Sequence, residues 1–369
     1  MAESENNDLN QFQPNYAIAP GASLRQTLKA IGMSQMELSI RTGLSLKHVN
    51  QIVHGSAPIT HDTSLAFEKV TGTPARFWNN LEVNYRDRLA RQRENQIDEE
   101  ILAWLRSLPI RELTRRGYLQ GGPAPASQLQ QVYRFFGVAN RETWERVWRV
   151  PLAAYRKSPT FKSDMPALAS WLRLGELEAA LIECGPFDTK KFRALLQEIR
   201  GLSRENPSRF SQELVHKCAG CGVAVVFVAE IKGCRASGAA RWLSSSKALI
   251  QLSLRHKTDD HFWFSFFHEA GHLLLHGKKE TFVTDGAEAD AAEQEANRFA
   301  ETILIPRAAQ SELRTLTSAK EIEDFAERIG ITPGIVVGRL QRENLLPWNR
   351  YNDLKRYLRI VEQRSNGDE

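Results

Sequence analysis

The stretch His268-Glu269-Ala-Gly-His272 sets two imidazoles four residues apart, with a carboxylate directly after the first. On a helix, residues four apart lie on one face about 6 Å from each other, so both rings can direct a nitrogen at one cation. A divalent metal lowers the pKa of a water it holds toward ~7, and Glu269 beside it can take that proton and pass it to a leaving amine. The chemistry such a set performs is hydrolysis of a peptide bond. With nine histidines in 369 residues, chance produces H-E-x-x-H in roughly one such chain in a hundred.

A site of this kind takes a third protein ligand and leaves a fourth position for water. Glu288, Asp290, Glu293, Glu295 and Glu301 are the acidic residues downstream. Glu295 stands in "EQEANRFAETILIP", where Phe299, Thr302 and Ile303 share its side of a helix, so it is expected to face inward; Glu293 is the alternative. His276 continues the row of histidines, but two turns from His268 it is too far to reach the same ion and reads as an outer or half-exposed residue. No oxyanion stabiliser is visible. His256, Arg241 and Arg255 lie near the motif, and each is as well suited to pairing with Asp259, Asp260 or a backbone carbonyl.

The elements that must hold this helix follow from the flanking pattern. "HFWFSFF" and "LLL" make it apolar on both sides, which sets it against a core. Ahead of it, "GVAVVFVA" (222–229), "SGAARWL" (237–243) and "KALIQLSL" (247–254) read as three strands of a small sheet. After it come a helical pattern over 288–304, the capping box Ser318-x-x-Glu321, and a last helix opened by Thr332-Pro333.

The N-terminal part holds a second constellation. Two short helices joined through Gly43, the first capped by Ser34 and the second by Ser45, have the spacing of a helix-turn-helix. Ser39 is small where they cross, and Leu38, Leu44, Val49 and Ile52 form the shared core. The second helix then presents Leu46, Lys47, His48, Asn50 and Gln51. Lys47, Asn50 and Gln51 can reach base edges or phosphates, while Gln35, Ser45 and Lys47 sit near helix ends that suit phosphate contacts. The chain is expected to bind a duplex DNA operator.

Between the two lie helices. Residues 78–107 read as one long charged helix with Leu81, Tyr85, Leu89, Ile97, Ile101 and Leu105 as its stripe, able to connect domains or pair with a copy of itself. "GGPAPAS" (121–127) breaks the pattern, and a helical stretch to about 205 contains Trp144, Trp148 and Trp171, read as core. Self-cleavage in the segment 108–127 is one way such a chain could release its DNA-binding half. Four cysteines, with Cys218-Ala-Gly-Cys221 the one close pair, read as reduced structural thiols. The net charge of +5 and pI near 9.0 permit a polyanionic partner. No apolar run reaches membrane-span length and "MAESENNDLNQFQPNY" has no leader pattern, so the protein is expected to be cytoplasmic, with no membrane partner.

Two resemblances sharpen these readings. "MSQMELSIRTGLSLKHVNQIVHGSAPITHDTSLAFEKVTGTPARFWNNLE" resembles the XRE/Cro-type domain of HigA-like antitoxins, which implies sequence-specific binding to duplex DNA, commonly as a homodimer. Leu46 and His48 depart from frequent versions of the reading helix, so the resemblance does not give the operator. "HFWFSFFHEAGHLLLHGKKETFV" followed by "EQEANRFAETILIP" resembles the ImmA/IrrE metallopeptidases, with the similarity running over about 205–345. That resemblance implies a zincin-like fold, His268 and His272 as metal ligands, Glu269 as general base, and Glu295 as third ligand. It also implies zinc, with manganese as the alternative, and selective cleavage of a protein such as a helix-turn-helix repressor, in a stress, mobile-element or toxin-antitoxin response.

The expected architecture is multidomain α+β. It comprises a disordered tail (1–20), an all-α helix-turn-helix domain (21–95), a helical connector (96–205), a metallopeptidase domain with a small β-sheet (206–345) and a C-terminal tail (346–369). A metal-dependent endopeptidase coupled to a DNA-binding regulator is the expected function. The rival is a repressor or antitoxin whose peptidase fold only senses a metal or a partner.

Overall fold

The computed structural model describes residues 19–94, 96–122, 124–149, 163–277, 282–284 and 291–360. Most of the N-terminal tail, Glu288, Asp290 and the last nine residues lie outside the described residues. The chain divides into two compact units, 1–98 and 99–369.

Among the described residues the first unit has five helices: α1 (Pro20–Ala30), α2 (Gln35–Thr42), α3 (Leu46–Val53), α4 (His61–Thr71) and α5 (Ala75–Glu94). Helices α2, α3 and α4 are each started by a side chain that accepts an otherwise unsatisfied backbone N–H, whereas α1 opens on Pro20 without a side-chain cap. Ser34 Oγ accepts from Glu37 N, Ser45 Oγ from His48 N at 3.1 Å, and Thr60 Oγ1 from Thr63 N at 3.2 Å. The Glu37 side chain does not reach back to the Ser34 N–H and pairs with Arg41 at 2.6 Å instead. Gly43, at φ +73°, makes the left-handed turn from α2 into α3. Leu24, Leu28, Leu38, Val49, Ile52, Phe67 and Trp78 close the core, with Phe67 edge-on to Trp78 at 5.7 Å.

The single long helix expected over 78–107 is two helices. The first, α5, ends at Glu94, and α6 begins at Glu99. Charge explains the break: Arg91 and Arg93 occupy the last turn of α5, and Glu99 and Glu100 the first turn of α6, each sign matching a helix end rather than a helix middle.

The second unit begins with α6 (Glu99–Ser107), α7 (Ile110–Arg115), α8 (Pro125–Phe136) and α9 (Arg141–Trp144), which runs on into a π-helical turn over Glu145–Arg149. It continues through α10 (Met165–Ala180), α11 (Thr189–Gly201) and α12 (Pro207–Gly220). The sheet strands are β1 (Val223–Phe227), β2 (Gly238–Trp242), β3 (Ala248–Leu252) and β4 (Phe282–Thr284). Helix α13 (Asp259–Leu275) separates β3 from β4, and α14 (Ala291–Leu304), α15 (Arg307–Gln310), α16 (Ala319–Ile329) and α17 (Pro333–Arg342) follow. The spatial order is β1-β3-β2-β4, with β1 parallel to β3 and the other two pairings antiparallel. Three strands fall where expected; the short edge strand β4 is additional.

The helices expected to be a connector over 96–205 are built into this same unit. Helix α10 is buried nearly all round and lies on β1 and β3, as an apolar helix without a polar face must. Trp171 Nε1 donates to Val228 O at 2.9 Å, and Gln251, fully buried on β3, donates to Trp171 O at 2.7 Å. Gly175 leaves the Gln251 amide room that any Cβ would fill. Trp144 and Trp148 are also core. Cys218, Cys221 and Cys234 are buried, and burial pushes the Cys218 thiol up, leaving it unreactive.

Residues expected as a C-terminal tail strap the start of α13. Tyr357 bridges Thr258, Asp259 N donates to Arg356 O at 3.0 Å, and Leu358 N donates to Lys257 O at 2.8 Å. Lys355 Nζ donates to Asp260 Oδ2 at 2.8 Å, with both side chains 7% exposed. Leu346 and Leu358 enter the main core, so this segment is structural at least to residue 358. No helix among the described residues is long and apolar enough to cross a membrane.

Candidate functional site

Helix α13 lies against β2 and β3 on one side and α14 on another, and this packing aims its histidines. Trp263, Phe266, Phe267 and Ala270 are fully buried. The opposite turn of the helix carries His268, Glu269 and His272, themselves 1%, 0% and 1% exposed. Gly271 lets α14 approach closely: a Cβ there would stand 3.3 Å from the Cα of Ala296.

His268 Nε2 and His272 Nε2 lie 2.9 Å apart, and each is 3.2 Å from a different oxygen of Glu293. Their ligand atoms all fall within 4.8 Å of one another. Two imidazole nitrogens and a carboxylate, converging and withdrawn from water, fit a divalent cation such as zinc; His/His/Glu ligation does not distinguish zinc from manganese. In this structure the carboxylate bridges the rings. Burial disfavours charge on His268, but its hydrogen bond to Glu293 and the charges of Glu269 and Glu293 outweigh it and raise its pKa. On His272 burial prevails and the pKa falls. Burial would raise the Glu293 carboxyl, yet the two imidazoles hold it down at about 2.

The third acidic group is therefore Glu293 rather than the expected Glu295. Glu295 is 52% exposed and meets His276 Nε2 at 3.3 Å. The inward row of α14 is Glu293, Ala296, Ala300 and Ile303, at helical spacing, and Glu295 lies a fifth of a turn or more to its side. Glu301 is also away from the site, paired with Arg339 at 2.9 Å.

Glu269 is placed by a glycine that sequence reasoning passed over. A Cβ on Gly238 of β2 would stand 2.5 Å from Glu269 Oε1 and 2.9 Å from its Cγ, so the strand admits the buried carboxylate only at a residue without a side chain. Phe282 of β4 stacks on His272 at 4.1 Å and 11°, bringing the sheet edge to the same place. Asn297, also missed, holds the Nδ1 of His268 at 2.9 Å. Its signal was its position four residues after Glu293, on the same face of α14.

Of the residues set aside as oxyanion candidates, Arg241 pairs with Glu176, Arg255 donates to the carbonyl of Arg235, and His256 stacks on His261 at 4.3 Å. Burial lowers the His256 pKa to about 4.

In the first unit, α3 turns Val49, Ile52 and Val53 inward. Lys47 and Asn50 are exposed, while His48, Gln51 and Gln35 are half-buried. Leu46 is 40% exposed. Ser45 spends its hydroxyl on the His48 N–H at the start of the helix.

Residues 236–341, which contain His268, Glu269, His272 and Glu293, match the IrrE N-terminal-like domain (Peptidase_M78). Virulence-associated protein I of Dichelobacter nodosus is 34% identical over 83 residues, which make up 22% of this chain and 77% of that protein. The HigA-family addiction module antidote protein of Coxiella burnetii shares 32% identity over 21% of this chain and 85% of its own, with a TM-score of 0.20. The Pseudomonas aeruginosa antitoxin HigA, solved with the higBA promoter, shares 29% over 23% of this chain and 98% of its own, also with a TM-score of 0.20. The chain thus belongs to the family of virulence-associated protein I, and its residues 236–341 carry an IrrE N-terminal-like (Peptidase_M78) domain.

Proposed function

We propose that the protein is a DNA-binding regulator whose C-terminal domain is a metal-dependent endopeptidase acting on one particular protein, a helix-turn-helix repressor. The observation that carries this is the meeting of His268, His272 and Glu293 beside a fully buried Glu269. A divalent cation held by those three side chains would polarise the attacking water and the scissile carbonyl. Glu269 takes the proton from the attacking water on its carboxylate and delivers it to the departing amine nitrogen. Strand β4 is at one end of the sheet order, and Phe282 in it stacks on His272, so a substrate segment paired along β4 would run close to His272. The pairing with a DNA-binding unit favours a regulatory protein as substrate over bulk peptides.

The test is to incubate zinc-loaded protein with helix-turn-helix regulators from its own host and sequence newly created N-termini. One dominant cleavage, abolished by a chelator and restored by zinc or manganese, is the expected result. Intact substrates throughout, from a protein that does hold metal, would leave the sensor reading in its place.

For the first unit, the exposed residues of α3 support operator recognition as proposed. Lys47→Ala is expected to weaken binding to every duplex alike and to lower the salt slope by about one. Asn50→Ala should cost about 1–3 kcal/mol at one base position only. Equal binding of wild type and both variants to their selected duplex would remove α3 as the reading helix.

A further inference from the structure

We propose that His276 and Glu295 form an orienting relay that fixes the tautomer of His272 and so sets the metal affinity of the site. The inference rests on the metal-site reading above.

The relay is drawn by two contacts. His276 is the first residue beyond α13, held there by its own N–H donating to His272 O at 3.1 Å. Its ring Nδ1 lies 3.1 Å from His272 Nδ1, and its Nε2 lies 3.3 Å from Glu295 Oε2. The His276 side chain is 11% exposed, so little water competes for these nitrogens.

Two facing imidazole nitrogens at that separation share one proton, and it can sit on either. If it sits on His276, His272 carries its own proton on Nε2 and has no lone pair to give a metal. His276 would then also turn a lone pair toward the Glu295 carboxylate, which is repulsive. If it sits on His272 Nδ1, that N–H donates to His276, the Nε2 of His272 is free to ligate, and His276 donates its Nε2–H to Glu295. The negative charge of Glu295 therefore selects the ligating tautomer two residues away in the chain of contacts.

His268 has the equivalent arrangement in shorter form, with Nδ1 donating to Asn297 Oδ1. One turn of α14 supplies everything in this scheme: Glu293 to the metal, Asn297 behind one histidine, and Glu295 behind the other through His276. This gives His276 and Glu295 positioning roles and accounts for a glutamate that sits near the site without entering it.

The test is zinc affinity, read by competition with a chromogenic chelator, on the full chain and four variants. His276→Leu, which removes the acceptor, is expected to bind zinc about 10- to 100-fold more weakly. His276→Asn, whose Oδ1 stands near the place of the lost Nδ1, should recover most of that loss. Glu295→Ala should weaken binding by up to about 10-fold while zinc still titrates to the wild-type stoichiometry. Glu293→Ala should abolish binding. Wild-type affinity in His276→Leu overturns the relay, as does an Asn variant no better than the Leu variant, which would mark a purely steric role. Loss of all binding in Glu295→Ala would make Glu295 a ligand and overturn it too. Failure of the wild-type chain to bind zinc would instead strike the metal-site reading itself. Equal thermal unfolding of the metal-free proteins checks that no variant has simply lost its fold.

Discussion

Glu269→Gln lowers the rate of substrate cleavage by about 10²- to 10⁴-fold, the usual worth of a positioned general base, and leaves metal content and DNA binding at wild-type levels. The side chain is fully buried beside His268, in space that a Cβ on Gly238 would take. Glutamine has nearly the same shape, so it fits the same slot without moving the strand. What it lacks is a lone pair basic enough to accept a proton. Because Glu269 is not among the atoms that converge on the cation, zinc stoichiometry is unaffected. Gly238→Ala is the steric counterpart: its methyl displaces the carboxylate and should lower the same rate while zinc remains bound. Initial rates of fragment appearance, with elemental analysis of the same samples, measure both. Undiminished cleavage by the Gln variant would falsify Glu269 as the base.

Glu293→Ala takes bound metal from about one equivalent per chain to none, as expected when one of three protein ligands is removed. The carboxylate lies 3.2 Å from both imidazoles and is only 17% exposed, so no neighbouring water shell replaces it readily. Its removal also deletes the hydrogen bond and charge that oppose burial on His268. His268→Ala should give the same result. Elemental analysis after gel filtration in zinc-containing buffer settles the outcome, and a full equivalent retained by Glu293→Ala would remove that residue from the ligand set.

The parts of this molecule that sequence makes legible are those specified by local chemistry. Gly43 and the Ser45 cap mark the turn from α2 into α3, and the spacing of His268 and His272 marks the face on which the two rings meet, because turns, caps and i, i+4 neighbours are decided within a few residues. Choosing Glu293 over Glu295 required knowing which face of α14 meets α13. The small residues gave that face: Gly271 on one helix, Ala296 and Ala300 on the other, with Glu293 at the head of the alanine row. Phe299, which suggested the neighbouring face, is only partly buried. That the helices from residue 99 on join the second compact unit is not legible locally for a similar reason. Nothing local says that Trp171 and Gly175 must meet Val228 and Gln251, more than fifty residues on. Strand β4, three residues long, is too short to show alternation.

The strap of residues 355–358 across the beginning of α13 sets an order on biosynthesis. The first unit is compact in itself, with its own buried core, so it can fold while the rest of the chain is still being made. The helix that carries His268 and Glu269 receives its last tether, Leu358 to Lys257, only once residue 358 has left the ribosome. At ~5–20 residues per second that is on the order of ten seconds or more after the first unit emerges. A nascent chain can therefore hold its first folded unit before the helix that carries His268 and His272 is fully tethered.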